Sequence, residues 1–252
     1  ELLNLAASGI DTLADMEEDL HLTKAQLREG MAEVPMYRAL YLNALMKENA
    51  DHIRVTRDAM FTRWINNAEN LKQKEYPVPE EIRGTLRQYQ IDGFRWACAL
   101  SEMGFGGILA DDMGLGKTLQ MITYLSTRKG MVHLVVCPAS LVYNWEAEFE
   151  QFAPKMRVAT IAGTALERRK LLEEWQYYDV LITSYDLLKR DIDLFVGKSF
   201  GCQIIDEAQY IKNPTTQAAK AVKAINSRNR FALTGTPIEN RLSELWSIFE
   251  YL

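Results

Sequence analysis

An apolar run, a glycine-rich turn and a Lys-Thr pair follow one another along residues 107–118, in the order Gly107-Ile108-Leu109-Ala110-Asp111-Asp112-Met113-Gly114-Leu115-Gly116-Lys117-Thr118. The apolar run is typical of a buried strand, and the apolar residues after the Lys-Thr pair follow helical spacing. A helix that begins directly after a glycine turn points its unpaired backbone N–H groups at an anion. The segment therefore predicts a phosphate cradle.

Lys117 and Thr118 give this cradle its predicted chemistry. In a nucleotide site of this kind the lysine reaches the β and γ phosphates, and the threonine hydroxyl binds Mg²⁺. Asp111 stands where the strict pattern has glycine. An ordinary glycine turn is therefore the alternative that the motif leaves open when it is taken alone.

A second segment, Gly201-Cys202-Gln203-Ile204-Ile205-Asp206-Glu207-Ala208-Gln209, predicts a buried strand that ends in two carboxylates. Adjacent carboxylates at the end of a buried strand are costly to desolvate unless a cation or a substrate shares the site. Asp206 is the predicted Mg²⁺ ligand, and Glu207 is predicted to position and deprotonate an attacking water. A surface acidic turn is the alternative, but it fits poorly with the apolar residues before the pair.

Short apolar runs alternate with amphipathic segments from about residue 84 to the end of the chain. Continuous apolar runs in this alternation predict an α/β fold, with a parallel sheet covered by helices on both faces. Ligands of such sheets bind at the carboxyl ends of the strands. The predicted strands are 107–110, 132–137, 158–161, 180–184, 203–206 and 231–234. The predicted helices are 89–101, 118–128, 141–152, 166–174, 215–226 and 241–251.

Residues 1–79 are predicted to form a helical upstream extension, and residues 80–252 the α/β domain. Prolines at 77 and 79 interrupt the helical pattern, because each removes a backbone donor and favours extended geometry before it. Residues 1–80 carry 9 basic and 14 acidic side chains, whereas residues 81–252 carry 20 of each. The net charge of −5 thus belongs to the extension and does not oppose nucleic-acid binding by the rest.

The three cysteines, Cys98, Cys137 and Cys202, have neither metal-ligand nor redox spacing. They predict buried thiols in a reducing compartment. No apolar stretch reaches the roughly 18 residues of a membrane span. We expect a cytoplasmic protein, nucleoid-associated if it is bacterial, with no membrane partner.

Three segments together resemble the nucleotide-site motifs of the Swi/Snf-related ATPases, a branch of helicase superfamily two. They are residues 111–118, residues 206–209 and the run Leu233-Thr234-Gly235-Thr236-Pro237-Ile238-Glu239-Asn240. The resemblance spans about residues 84–252 and is of a bacterial type. It implies a P-loop NTPase (RecA-like) lobe that uses ATP and Mg²⁺ and belongs to a translocase on double-stranded DNA. A nucleoprotein or transcription complex is a further candidate partner.

The resemblance also implies roles for individual residues. Glu207 and Lys117 are the implied catalytic residues, and Thr118 and Asp206 the implied metal ligands. Gln90, within Leu86-Arg87-Gln88-Tyr89-Gln90, is the implied adenine contact. The implied ATP-binding residues are Gln90, Asp112, Met113, Gly114, Leu115, Gly116, Lys117 and Thr118.

Two further groups of residues are implied to bind DNA and to couple its binding to hydrolysis. The implied DNA contacts are Ser140, Asn144 and Ser184, and the implied coupling residues are Gln209, Thr234, Gly235 and Thr236. Gln209 stands where the family normally has histidine, so we expect the link to the Thr-Gly-Thr segment to differ in detail. Trp145 is predicted to lie in the core, with a base platform as the alternative.

We expect the chain to be part of a longer protein, because it opens on Glu1 and stops at Leu252 after an apolar helical run. In that expectation a second lobe supplies arginines to the γ phosphate, and the first lobe alone hydrolyses ATP very slowly. Two other functions stay open: an RNA helicase lobe, and a nucleotide-responsive scaffold without turnover. The basic run 168–170 is expected to be a solvated helix face.

Overall fold

A computed structural model describes residues 39–48, 59–71, 74–235 and 242–252. The chain divides into two compact units, Glu1–Lys74 and Glu75–Leu252. In the first unit the described helices are α1 (Ala39–Glu48) and α2 (Ala59–Leu71). The other residues of the extension up to residue 73 lie outside the described ranges, and residues 74–79 are described and are not helical.

The second unit alternates strands and helices. Its strands are β1 (Gly107–Leu109), β2 (His133–Cys137), β3 (Val158–Thr160), β4 (Val180–Ser184), β5 (Ser199–Ile205) and β6 (Asn226–Leu233). Its helices are α3 (Gln88–Glu102), α4 (Lys117–Ser126), α5 (Val142–Phe152), α6 (Ala165–Glu173), α7 (Tyr185–Arg190), α8 (Ile192–Phe195), α9 (Gln217–Ala224) and α10 (Leu242–Tyr251). Short 3-10 turns occupy Ala139–Leu141, Trp175–Tyr177 and Ala208–Ile211.

The six strands form one parallel sheet in the order β1-β6-β5-β2-β4-β3. Ile204 of β5 lies opposite Phe231 of β6 on one side and Val135 of β2 on the other. Every residue of β2 and β4 is buried, as the continuous apolar runs predicted. The predicted parallel α/β fold is confirmed.

Neighbouring residues of β6 show that helices cover both faces of the sheet. The ring of Phe231 packs edge-on against Trp96 of α3 and Tyr124 of α4, with centroids 6.0 and 5.1 Å apart. Ala232 belongs to the apolar cluster that contains Val222 of α9 and Tyr251 of α10. Because successive strand residues point to opposite faces, α3 and α4 lie on one face and α9 and α10 on the other.

Strands β5 and β6 begin at Ser199 and Asn226, several residues before the predicted starts at 203 and 231. Polar residues fill the first half of β6, and Ser199 and Gly201 interrupt the apolar pattern at the beginning of β5, so a search for continuous apolar runs missed both beginnings. Asn229 of β6 is buried, and its side-chain oxygen accepts a hydrogen bond from the Ser101 hydroxyl at 2.9 Å. A partner from a distant helix thus makes a polar strand residue compatible with the core.

The expectation of a solvated face for residues 168–170 is wrong for Arg168. Its side chain is 4% exposed and pairs with Asp191, and its Nη1 donates to the Gly163 carbonyl at 2.7 Å. Arg169 and Lys170 are exposed, as expected. Sequence alone gave no partner for Arg168, because Asp191 is 23 residues away.

Candidate nucleotide site

The loop between β1 and α4 forms the predicted cradle. Gly114 and Gly116 have φ angles of 83° and 73°, which favour glycine. A Cβ atom on Gly116 would lie 2.5 Å from Nε2 of Gln90, so a side chain does not fit there. The first N–H groups of α4 have no partners within their own helix, and they face the loop. This geometry suits an anion.

Lys117 lies across the loop. Its Nζ donates to the backbone carbonyls of Asp111 and Asp112 at 2.7 and 3.1 Å. The carboxylate of Asp111 accepts from the buried Gln120 side chain at 2.9 Å. Asp111 thus stands where the strict pattern has glycine. Its carbonyl bonds to Lys117 and its carboxylate bonds to Gln120, and both of these residues belong to α4. Asp112 and Met113 are exposed at the mouth of the loop.

Gln90 lies behind the cradle. It is 8% exposed, and both ends of its amide hold backbone groups: Oε1 accepts from Arg87 N at 2.9 Å, and Nε2 donates to the Leu115 carbonyl at 3.1 Å. The Gln90 side chain therefore caps the first turn of α3 and holds the cradle loop in place. Contact with adenine stays a prediction, and it would require the amide to leave one of these partners.

Asp206 lies at the end of β5 and is nearly buried. Its Oδ2 accepts from the indole Nε1 of Trp145, and its Oδ1 accepts from Glu207 N, both at 2.9 Å. Burial raises the pKa of the Asp206 carboxyl, while the bond from Trp145 and the nearby Lys117 ammonium lower it; the net shift is upward. Trp145 is 2% exposed, which confirms its place in the core and adds a polar contact that the sequence analysis missed.

Glu207 is held by its neighbours. It is the non-glycine residue with positive φ in the described chain, at 52°. Its Oε2 accepts from Gln209 Nε2 at 2.7 Å, and Gln209 Oε1 accepts from the Thr234 hydroxyl at 3.2 Å. Thr234 N in turn donates to the Leu109 carbonyl at 3.2 Å, at the end of β1.

These contacts link the two predicted motifs. The line Glu207–Gln209–Thr234 runs from the carboxylate pair to the end of β6, and Leu109 lies directly before the cradle. Gly235 approaches Met113 so closely that a Cβ atom there would lie 3.0 Å from Met113 Cγ. Thr236, the fourth predicted coupling residue, lies outside the described ranges.

Thr118 and Asp206 offer the oxygen donors that Mg²⁺ prefers. Glu148 of α5, which the sequence analysis did not select, lies near this site, since burial and the charge of Asp206 raise the pKa of its carboxyl. A nearly buried carboxylate beside a second acidic group is costly without a cation. The donor set therefore fits Mg²⁺.

The predicted DNA contacts follow β2, which lies beside β5, and β4, which lies on the other side of β2. Ser140 and Asn144 are exposed around the beginning of α5. Ser184 differs, because it is 3% exposed and its hydroxyl accepts from Leu187 N at 3.2 Å. It caps α7, a helix that the sequence analysis did not predict.

Residues 89–252 match the SNF2-related domain. The chain belongs to this family. Residues 1–79 match a second domain, described as bacterial SNF2 helicase associated. The parallel sheet and its helices therefore form a RecA-like lobe of the SNF2 type, as the motifs predicted.

Relatives and solved structures of the SNF2-related family share this lobe. The ATP-dependent helicase MG018 of Mycoplasma genitalium is 37% identical over 94% of this chain and 22% of its own length. The TATA-binding protein-associated factor MOT1 of Saccharomyces cerevisiae is 40% identical over 72% of this chain and 11% of its own. The Sulfolobus solfataricus SWI2/SNF2 ATPase core, solved in complex with double-stranded DNA, is 44% identical with a TM-score of 0.64.

The SNF2-related chain spans only part of these proteins. It covers 38% of the solved Sulfolobus core and about a fifth or less of the two curated relatives. Within the described ranges, no helix combines the length and the hydropathy that crossing a bilayer requires.

Proposed function

We propose that this chain is the first RecA-like lobe of an ATP-dependent translocase on double-stranded DNA. The observation that carries the proposal is the meeting of the two motifs at one edge of the sheet. Thr234 N donates to the Leu109 carbonyl directly before the cradle, and the Thr234 hydroxyl donates to Gln209, whose Nε2 donates to the Glu207 carboxylate. A cradle for phosphates and a carboxylate pair at its side are the parts that ATP hydrolysis requires.

In this proposal the cradle binds the phosphates of ATP through backbone N–H groups, and Lys117 exchanges its carbonyl partners for the β and γ phosphates. Thr118 and Asp206 would hold Mg²⁺, which would supply positive charge to the phosphates. Glu207 accepts a proton from the attacking water. Gln209 keeps the Glu207 carboxylate in place through the bond to Oε2.

Coupling to DNA is proposed to use two connections. The first is the hydrogen-bonded line from Glu207 through Gln209 to Thr234. The second is α5. The exposed Ser140 precedes this helix and the exposed Asn144 lies in its first turn, and the indole of Trp145 next to Asn144 donates to the Asp206 carboxylate. The DNA-bound state of the Sulfolobus relative supports a DNA partner for the exposed surface.

Fast turnover is proposed to need parts of the ATPase core that this chain does not span, since it covers 38% of the solved relative. An arginine supplied to the transferred phosphoryl group contributes about 10³–10⁵ in rate. Residues 1–252 alone are therefore expected to bind Mg·ATP and to hydrolyse it about 10³-fold more slowly than the full-length gene product.

The test is ATP hydrolysis by the full-length gene product without nucleic acid, with duplex DNA and with RNA. We expect stimulation by duplex DNA alone. Absence of stimulation contradicts the DNA part of the proposal, and stimulation by RNA alone supports an RNA helicase instead. Nucleotide binding with no turnover in any of the three conditions identifies a scaffold.

A further inference from the structure

Tyr185 is the first residue of α7 and lies directly after Ser184, the last residue of β4. It is 4% exposed, and its hydroxyl donates to the backbone carbonyl of Asp206 at 2.8 Å. Asp206 is the residue with which the chain leaves β5. Because β2 lies between β4 and β5 in the sheet, the Tyr185 side chain joins the carboxylate pair to a strand that is not its neighbour.

The peptide group between Asp206 and Glu207 is bound at both of its polar atoms. Its carbonyl oxygen accepts from the Tyr185 hydroxyl, and its N–H donates to Oδ1 of Asp206 at 2.9 Å. The next torsion along the chain is the φ of Glu207, at the uncommon value of 52°. Strained torsions persist where neighbouring contacts hold the backbone. These two bonds therefore fix the direction in which the Glu207 side chain leaves the backbone.

The ring of Tyr185 is held in its turn by Tyr210. The two rings are stacked, with centroids 5.1 Å apart and planes inclined by 3°, and Tyr210 is 52% exposed. The backbone N–H of Tyr210 donates to the Glu207 carbonyl at 3.0 Å. Tyr185 thus contacts the turn that contains Glu207 at both ends, through its hydroxyl at Asp206 and through its ring at Tyr210.

We infer that Tyr185 is a positioning residue for hydrolysis: its hydroxyl, with the ring held by Tyr210, orients the peptide group before Glu207 and thereby the Glu207 carboxylate. The inference rests on the proposed function, since Glu207 acts as a base only if the protein hydrolyses ATP. Tyr185 acts through the backbone of the carboxylate turn and not through the cradle. The rate of the chemical step therefore depends on its hydroxyl, whereas the affinity for the nucleotide does not.

The hydroxyl is tested with Tyr185→Phe in the full-length gene product, which keeps the ring and its stacking. Tyr251→Phe is the matched control, because the buried Tyr251 hydroxyl donates to the carbonyl of Gln203 on β5 at 3.1 Å, three residues before Asp206. Hydrolysis is measured over a range of Mg·ATP concentrations, with and without duplex DNA, and kcat and KM are obtained separately. The melting temperature reports the stability of each variant.

We expect Tyr185→Phe to lower kcat about tenfold and to leave KM for Mg·ATP within about twofold, because a buried hydrogen bond that holds a reacting group is worth up to about a factor of ten. Tyr251→Phe is expected to lower the melting temperature by a similar amount and to leave kcat within about twofold, since it also leaves a buried carbonyl without its hydroxyl donor. Tyr210→Leu removes the stacked ring and leaves the hydroxyl of Tyr185, and it is expected to lower kcat about threefold.

An unchanged kcat in Tyr185→Phe overturns the inference and leaves the proposed function standing. Equal losses of kcat in Tyr185→Phe and Tyr251→Phe also overturn it, because that result indicates a general loss of stability. A higher KM at unchanged kcat overturns it as well, since it assigns Tyr185 to nucleotide binding. If Tyr185→Phe does not fold, Tyr210→Leu decides, and an unchanged kcat there contradicts the inference. Absence of hydrolysis by the unsubstituted protein overturns the proposed function and this inference together.

Discussion

Glu207 combines a strained backbone with a fixed carboxylate. Its φ of 52° is uncommon for a residue with a side chain and costs about 1–3 kcal/mol, and the bond from Gln209 fixes the carboxylate. Such strain is concentrated at functional sites, where the surrounding contacts maintain it. The geometry is consistent with a general base whose position matters more than its local stability.

Glu207→Gln is expected to abolish turnover and to leave nucleotide binding intact. The amide keeps the size and the contact with Gln209, but it does not accept a proton from water; loss of a general base lowers the rate about 10²–10⁴-fold. The measurements are the hydrolysis rate of the full-length protein and the affinity for Mg·ATP. Glu173→Gln, an exposed change on α6, is the control. Undiminished hydrolysis by Glu207→Gln would refute the assignment.

Thr234 offers a test of coupling. Its hydroxyl donates to Gln209 Oε1 at 3.2 Å, and Thr234→Val removes this donor with little change of volume. We expect stimulation by duplex DNA to fall up to about tenfold, since one hydrogen bond is worth about 0.5–1.5 kcal/mol, while affinity for Mg·ATP changes less than about twofold.

The comparison is the ratio of DNA-stimulated to unstimulated hydrolysis. Thr123→Val is the control, because the buried Thr123 hydroxyl bonds only within α4 as far as the described contacts show, to the Leu119 carbonyl. A stimulation ratio that falls equally in both variants would show a general loss of stability, and an unchanged ratio in Thr234→Val would remove Thr234 from the coupling line.

At the scale of elements, a buried ion pair joins α6 to the turn between α7 and α8. The Arg168 guanidinium donates through two nitrogens to the two carboxylate oxygens of Asp191, and Asp191 is 10% exposed. Removing one partner leaves the other buried without its counter-charge, which costs about 3–5 kcal/mol. The pair thus fixes how these short helices pack.

We expect Arg168→Met to lower the free energy of unfolding in urea by about 3–5 kcal/mol. Arg169→Met, at an exposed position of the same helix, is expected to change it by less than about 0.5 kcal/mol. The double variant Arg168→Met with Asp191→Leu should regain most of the loss, because no unpaired charge remains. Equal, small effects of the two single changes would contradict a buried pair.

At the scale of the whole molecule, the compact lobe begins before the predicted boundary at residue 80. The second compact unit starts at Glu75. Tyr76 is 8% exposed, and its carbonyl accepts from Arg95 Nε of α3 at 3.3 Å. The proline-containing segment therefore packs on α3, which the composition of residues 76–79 did not indicate. The functional boundary between the two domains stays a prediction.

A chain of residues 75–252 is therefore expected to be more stable than one of residues 80–252. Loss of Tyr76 exposes apolar surface of α3 and removes an aromatic side chain, together worth about 2–4 kcal/mol. Urea unfolding of the two chains measures the difference. Tyr76→Ala in the longer chain is the control and should reproduce most of it; identical midpoints for both chains would place the boundary at 80.

Local sequence patterns were sufficient to predict the parallel α/β fold, the glycine turn before Lys117, the carboxylate pair at the end of β5 and the family. Each of these depends on residues close together in the chain, so apolar runs and short motifs contain the information. The strand that precedes Asp206 and the turn that precedes Lys117 are local features, and both were predicted to end at the same edge of the sheet.

The distant residues that complete the site and the core became apparent from the folded structure. Trp145 reaches Asp206 across 61 residues, Asn229 meets Ser101 across 128, and Arg168 finds Asp191 across 23. The free energy of burying a polar or charged group depends on the partners that folding brings to it. The order of residues along the chain does not show which distant residues those partners are.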